Sequence, residues 1–161
     1  FEDLFGGKLH AAMDRQHPRD LFDVKLLYEN EGLTEELFRT FLVYVASSPR
    51  PAHELLRPTL SNLDEPFTRE FVGMTTIPVT LDELIATRER LIADIGARLD
   101  ASAQRFLTTL HDGEPDFEAI GLPQAAELPA VRWKLMNLKK LSAENPGKHK
   151  AHREELDKLF T

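Results

Sequence analysis

Val79-Thr80-Leu81-Asp82-Glu83-Leu84 carries a complete helix start. Thr80 stands at the cap, Glu83 can reach back to it, the first turn is acidic where the helix dipole favours acids, and Val79 can staple onto Leu84. Leu84, Ile85, Leu91, Ile92, Ile95 and Leu99 then recur on one stripe at helical spacing, which predicts the strongest helix of the chain. Upstream, Leu33-Thr34-Glu35-Glu36-Leu37-Phe38 repeats the chemistry of cap, acidic turn and staple, and predicts a helix to about Ala46. Its last stretch, Phe41 to Val45, is apolar all round, so that helix is expected to be buried. Between these two, Pro49-Arg50-Pro51, Pro58, Pro66 and Pro78 remove donors and disfavour helical geometry before them, so residues 48–80 are expected as loops and short helical pieces. Downstream, a helix around Ser102 to His111 should stop at Asp112-Gly113. Leu128 to Leu141 and Lys148 to Phe160 form an expected closing pair across Asn145-Pro146-Gly147. The pattern is helical from end to end and contains no internal repeat. It predicts an all-α fold, an irregular helical bundle making a single helical domain over residues 1–161.

The chain has 161 residues, enough for a self-sufficient core, with a formal charge of −7 and 42% hydrophobic residues, a composition that excludes a disordered tail. It has no cysteine, which excludes a disulfide framework, a thiolate nucleophile and a cysteine-ligated metal, and which fits a reducing cytoplasm. The longest unbroken apolar run, Phe41 to Ala46, is far below the ~20 residues of a membrane span, so no membrane partner is expected. Phe1-Glu2-Asp3-Leu4-Phe5 reads as mid-helix rather than as a free end, so a longer parent protein is expected.

Polarity is densest at the beginning, where Lys8, His10, Asp14, Arg15, His17, Arg19, Asp20, Asp23 and Lys25 surround a short apolar frame. With Pro18 at the first helical position, Asp20 and Asp23 project from one side of a helix, where a cation could meet both. The same spacing fits a plain surface: Asp20 complementing the helix dipole, and Arg19 with Asp23 as an exposed pair of about 0.3–0.5 kcal/mol.

These residues resemble the nucleotidyltransferase AbiEii/AbiGii toxin family. Lys8-Leu9-His10-Ala11-Ala12-Met13-Asp14-Arg15 is similar to its K-x-x-A-x-x-x-R segment, and Pro18-Arg19-Asp20-Leu21-Phe22-Asp23-Val24 to its R-D-x-x-D segment, in the same order and with the same gap. Phe71-Val72-Gly73-Met74 and Leu128-Pro129-Ala130-Val131-Arg132-Trp133-Lys134-Leu135 resemble the helical remainder. The resemblance implies transfer of a nucleoside monophosphate from a nucleoside triphosphate to an acceptor such as RNA or tRNA. The setting it implies is a bacterial toxin–antitoxin or phage-abortive system, with a cognate antitoxin as functional partner and no contact required. Lys8 matches the lysine that meets phosphates, with Arg15 and Arg19 as further nucleotide-binding cations, and Asp20 and Asp23 match the acidic motif that orients or deprotonates the acceptor. Which aspartate does the chemistry stays open at this level.

The resemblance also implies a glycine–serine turn and a D-x-D pair for Mg2+, on an N-terminal α/β core. The chain has neither. Magnesium and nucleoside triphosphate are therefore expected as cofactor and substrate of the parent protein, and these 161 residues alone are expected to be inactive and to hold no metal. The alternative from another class is a non-catalytic helical interaction or RNA-docking module. Arg132, Lys134, Lys139 and Lys140 are its candidate contacts, because residues 131–161 carry a local charge of +4 against −11 elsewhere. Trp133 could stack on a base, but beside Leu135, Met136 and Leu138 it is expected in the core. His10, Asp14 and His17 invite a metal reading by spacing, against Pro18 ending the helix there. His149 and His152, among Lys148, Lys150 and Arg153, are expected as solvated surface.

Overall fold

The computed structural model describes residues 1–71 and 79–161, without the side chains of residues 70 and 71. Val72-Gly73-Met74 of the family-like stretch, and Pro78, lie outside the described residues. In chain order the elements are α1 (Glu2–Asp14), α2 (Pro18–Asn30), α3 (Glu35–Val45), α4 (Ala52–Leu56) and α5 (Asp64–Pro66), which runs into a π-turn at Phe67–Phe71. There follow α6 (Leu81–Ala97), α7 (Ala101–His111), two 3-10 turns at Phe117–Ile120 and Pro123–Glu127, α8 (Pro129–Glu144) and α9 (Pro146–Lys158). No strand occurs among the described residues, and the fold is all-α.

The helix starts form where cap chemistry puts them. Thr34 Oγ1 accepts from the Leu37 amide and Thr80 Oγ1 from the Glu83 amide, both at 3.1 Å. Glu83 sends its carboxylate toward Lys25, 3.9 Å from Nζ. Asp100 caps α7 through the Ala103 amide at 2.9 Å, which starts that helix one residue before Ser102. Asn145 caps α9 with Pro146 at its first position, so α9 begins two residues before Lys148. Phe41, Leu42 and Val45 are fully buried, which makes the apolar end of α3 a core helix.

Packing is tightest between α1 and α3. A Cβ at Gly6 would stand 2.7 Å from Thr40 Cγ2 and 3.1 Å from Tyr44 Cε2, so the helices meet where only a hydrogen fits. The apolar stripe of α6 sits in the core through Leu84, Leu91 and Ile95, but Arg88 shares that face at 7% exposure. It donates from Nη1 to Gln16 Oε1 (2.9 Å) and to the Ser61 carbonyl (2.8 Å). Gln16 in turn donates to the Thr59 carbonyl at 2.8 Å. Gln16 has φ +54, a left-handed conformation that turns α1 into α2, and the buried network holds it there. Arg50 grips the end of α1 through the carbonyl and Oδ1 of Asp14, both at 2.9 Å.

Two expectations are corrected on α8. Trp133 is 62% exposed, with Met136 beside it at 57%. The inward face belongs to Val131, Leu135 and Leu138, and position 133 lies opposite that stripe. Lys134 points inward instead, at 6% exposure, donating from Nζ to the carbonyls of Ser48 (2.6 Å) and Arg50 (2.7 Å). It is a buried strut and does not belong to a solvated RNA-facing surface. His149 and His152 also depart from plain surface. The His149 ring stacks on His111 at 3.9 Å and the His152 ring lies 5.2 Å from His53.

Candidate functional site

The site grows from the turn between α1 and α2. The α1 face carrying Gly7, Lys8, Ala11 and Arg15 recurs at three- and four-residue steps and lies beside the first turns of α2. His17 Nδ1 accepts from the Arg19 amide at 3.2 Å as the cap of α2, and Pro18 takes the first helical position. Asp20 is then the third residue of the helix, where the dipole favours its charge. With the turn set by Gln16, Lys8 Nζ meets Asp23 Oδ2 at 3.0 Å and Arg15 Nη2 meets Asp20 Oδ1 at 2.7 Å. Asp23 pairs with Lys8 across the two helices, which corrects the expected pair with Arg19.

Lys8, Arg15, Asp20 and Asp23 line one open groove of about 490 Å³, completed by Asp3, Leu4 and Tyr44. Arg19 is exposed and is not among the lining residues, so the structure brings together four of the five predicted groups and leaves Arg19 outside. The ion pairs differ in access. The side chains of Lys8 and Asp23 are 32% and 35% exposed, so a ligand can reach both, and at that exposure the pair contributes only about 0–1 kcal/mol to stability. The Asp20 side chain is 11% exposed, and its Oδ2 is buried with no hydrogen-bond partner. Among the described residues no donor meets that atom, so its desolvation is offset only through Arg15 on Oδ1 and the dipole of α2.

Tyr44 enters the groove from α3, donating its hydroxyl to the Asp3 carbonyl (3.0 Å) and to Asp3 Oδ1 (3.1 Å). Burial and the Asp3 carboxylate hold its phenol above the usual range, so at neutral pH it is a donor. Sequence reasoning missed Tyr44. The available signal was Gly6-Gly7, because two glycines inside a helix mark a close approach of another helix.

The His10, Asp14 and His17 set does not assemble: Asp14 is held by Arg50 and His17 caps α2. Burial lowers the pKa of His10. Among the described residues no group of three His, Cys, Asp or Glu side chains is placed to hold a metal. Asp20 and Asp23 each already meet a cation, Asp3 in the same groove is held by Tyr44, and among the described residues no third acid completes a ligand set. The residues present do not fit the magnesium that the family resemblance implies. On α8, Arg132, Lys139 and Lys140 are exposed, with Trp133 and Met136 on the same outer side. Among the described residues no helix is long and apolar enough to cross a membrane.

Fold and groove together define an all-α protein that sets paired cations and carboxylates on two adjoining helices. The chain belongs to the nucleotidyl transferase AbiEii toxin family of type IV toxin–antitoxin systems, whose family model matches residues 1–137. The match includes the whole groove and most of α8, and stops before Lys139, Lys140 and α9. No curated protein and no solved structure matches the chain.

Proposed function

We propose that the groove between α1 and α2 is the part of a nucleotidyltransferase active site that grips the triphosphate and presents a base to the acceptor. The observation that carries this reading is the convergence of Lys8, Arg15, Asp20 and Asp23 on one groove, with Lys8 and Asp23 in contact and open to solvent. An ammonium and a guanidinium there offset the negative charge that grows on the leaving pyrophosphate. When Lys8 turns to a phosphate oxygen, Asp23 is left free to accept the proton of the attacking hydroxyl. The acceptor oxygen bonds to the α-phosphorus, the bond from that phosphorus to the bridging oxygen breaks, and pyrophosphate leaves. Asp20 is the positioning group, since its Oδ1 holds Arg15 and its Oδ2 is shut off from solvent. Charges for the rest of the reaction, including any metal, come from groups beyond this set.

In a chain that also carries the α/β core the resemblance implies, Lys8→Ala, or Asp20→Asn with Asp23→Asn, should abolish toxicity while the fold is retained. Melting temperature lost in step with activity would refute the catalytic role. The 161-residue chain alone, given magnesium and each labelled nucleoside triphosphate, should transfer no label to RNA, and robust incorporation would refute the dependence on outside groups.

A second reading, docking of an RNA acceptor on α8, is favoured by Trp133, whose exposure beside Arg132 and Lys140 suits a base-stacking platform. Lys139→Glu with Lys140→Glu should then weaken RNA binding and flatten its salt dependence. Unchanged binding returns that face to ordinary surface.

A further inference from the structure

Among the described residues, Lys134 is a buried cation without a counter-charge. Its ammonium has three protons and gives two of them to the carbonyls of Ser48 and Arg50. Among the described residues no carboxylate lies within ion-pair distance of it, although an isolated buried charge is costly. Burial holds its pKa down at about 8.

Beside it lies a cavity of about 280 Å³, between α8, α9 and the turn of residues 49–51. Its polar wall is Lys134, Asn137, Lys148 and His152, its remaining wall is proline and leucine, and no acidic residue lines it. Lys148 lies in the first turn of α9, at the positive end of a 13-residue helix. The cavity continues into a smaller hollow, about 30 Å³, that shares Lys134 and His152 and adds His53 and His111. It is smaller than the pockets that enclose whole drug-sized ligands, and no residue lining it lines the groove of Lys8.

We propose that this cavity is a phosphate-binding site, with Lys134, Lys148, Asn137 and His152 as its donors. The phosphate supplies the negative charge that Lys134 lacks, and accepts a hydrogen bond from its third N–H. The same group can come from a free phosphorylated molecule or from a nucleic-acid terminus, and the chemistry of the site is shared by both. Burial, His53, Lys148 and His149 depress His152 while Glu54 opposes them, so a bound anion should raise it.

The test is thermal unfolding of the 161-residue chain in inorganic phosphate against chloride of equal ionic strength, with the His152 ring followed by NMR. At ten times its dissociation constant, phosphate should raise the melting temperature by about 3–6 °C and move the His152 resonances. Lys148→Glu, a surface change, should abolish both responses, and Lys158→Glu, the same charge change at the exposed far end of α9, should leave them. Lys134→Met, if it folds, should also abolish them, and Lys148→Glu decides the matter if it does not. Equal shifts in phosphate and chloride, a motionless His152 ring, or loss of the response in Lys158→Glu would overturn the site. Competition then fixes the source: displacement of phosphate by a 5′-phosphorylated RNA tetramer, and not by its unphosphorylated form, assigns a nucleic-acid end. Saturation by inorganic phosphate without displacement assigns a free phosphate.

Discussion

Acidification should loosen the contact between α7 and α9 through His111. His111 Nε2 lies 2.9 Å from the His149 carbonyl, and His149 Nε2 lies 3.0 Å from the His111 carbonyl. A carbonyl can only accept, so both rings donate from Nε2 and the stacked pair is a reciprocal clip. A second proton on His111 would put a charge on a ring 8% exposed, stacked on another imidazole and near Arg153. Burial first, and then the neighbouring ring, hold its pKa down at about 4, against 6.5 in the unfolded chain. Between those values the unfolded state takes a proton that the folded state refuses. The stabilisation is thus complete above pH 6.5 and declines as pH falls toward 4, by about 2 kcal/mol between pH 7.5 and 5.0. His10 and His152, also depressed by burial, add slope of the same sign, so the comparison must be with a variant. His111→Gln should be less stable at pH 7.5 but should lose about 2 kcal/mol less on acidification, roughly 1 M in the urea midpoint. An unchanged pH slope in the variant, or an NMR titration of His111 near 6.5, would refute the reasoning.

Three further substitutions probe the frame around the groove. Gly6→Ala forces Cβ against Thr40, and by urea unfolding it should be about 1–3 kcal/mol less stable than Gly7→Ala, whose Cβ meets Tyr44 only at ordinary contact distance. Equal midpoints would show that α1 and α3 can part without cost. Arg88→Met takes the guanidinium from Gln16 Oε1, which keeps only its Ser61 donors, and from the Ser61 carbonyl, and should cost about 2–4 kcal/mol in the same assay. A neutral result would mean that the turn at Gln16 holds itself. Trp133→Ala should stay within about 0.5 kcal/mol of the parent, where a core tryptophan would cost about 3–5, and acrylamide should quench Trp133 fluorescence freely.

Local signals carried the helices well. Thr34 and Thr80 lie next to the apolar stripes they start, and cap chemistry is written within four residues, so α3 and α6 follow from adjacent letters. The Asp100 cap is hard to read from the sequence because it follows directly on Leu99, the last residue of the preceding apolar stripe. The buried charges were partly legible. Val131, Lys134, Leu135 and Leu138 share one helical stripe, as do Leu84, Arg88, Leu91 and Ile95, and a charge inside such a stripe marks a buried strut. By the same wheel Trp133 falls on the outer side, although its apolar neighbours Leu135, Met136 and Leu138 suggest a core position. The pairing of Lys8 with Asp23 was not legible from periodicity. It depends on the angle between α1 and α2, which is set by Gln16 at φ +54 and by contacts from Thr59, Ser61 and Arg88, 43 to 72 residues away. The family-like segments identified the residues, and the long-range network supplies the angle that brings them together.

Nucleotidyl transfer by a chain that joins these residues to an α/β nucleotide-binding core would test the proposed groove most directly, measured for Lys8→Ala, Asp23→Asn and Arg19→Ala variants shown to be folded. The account predicts at least a ~100-fold loss for the first two, as expected for removal of a charge-stabilising donor or a general base, with Arg19→Ala unimpaired. Full activity in folded Lys8→Ala, or an equal loss in Arg19→Ala, would contradict it.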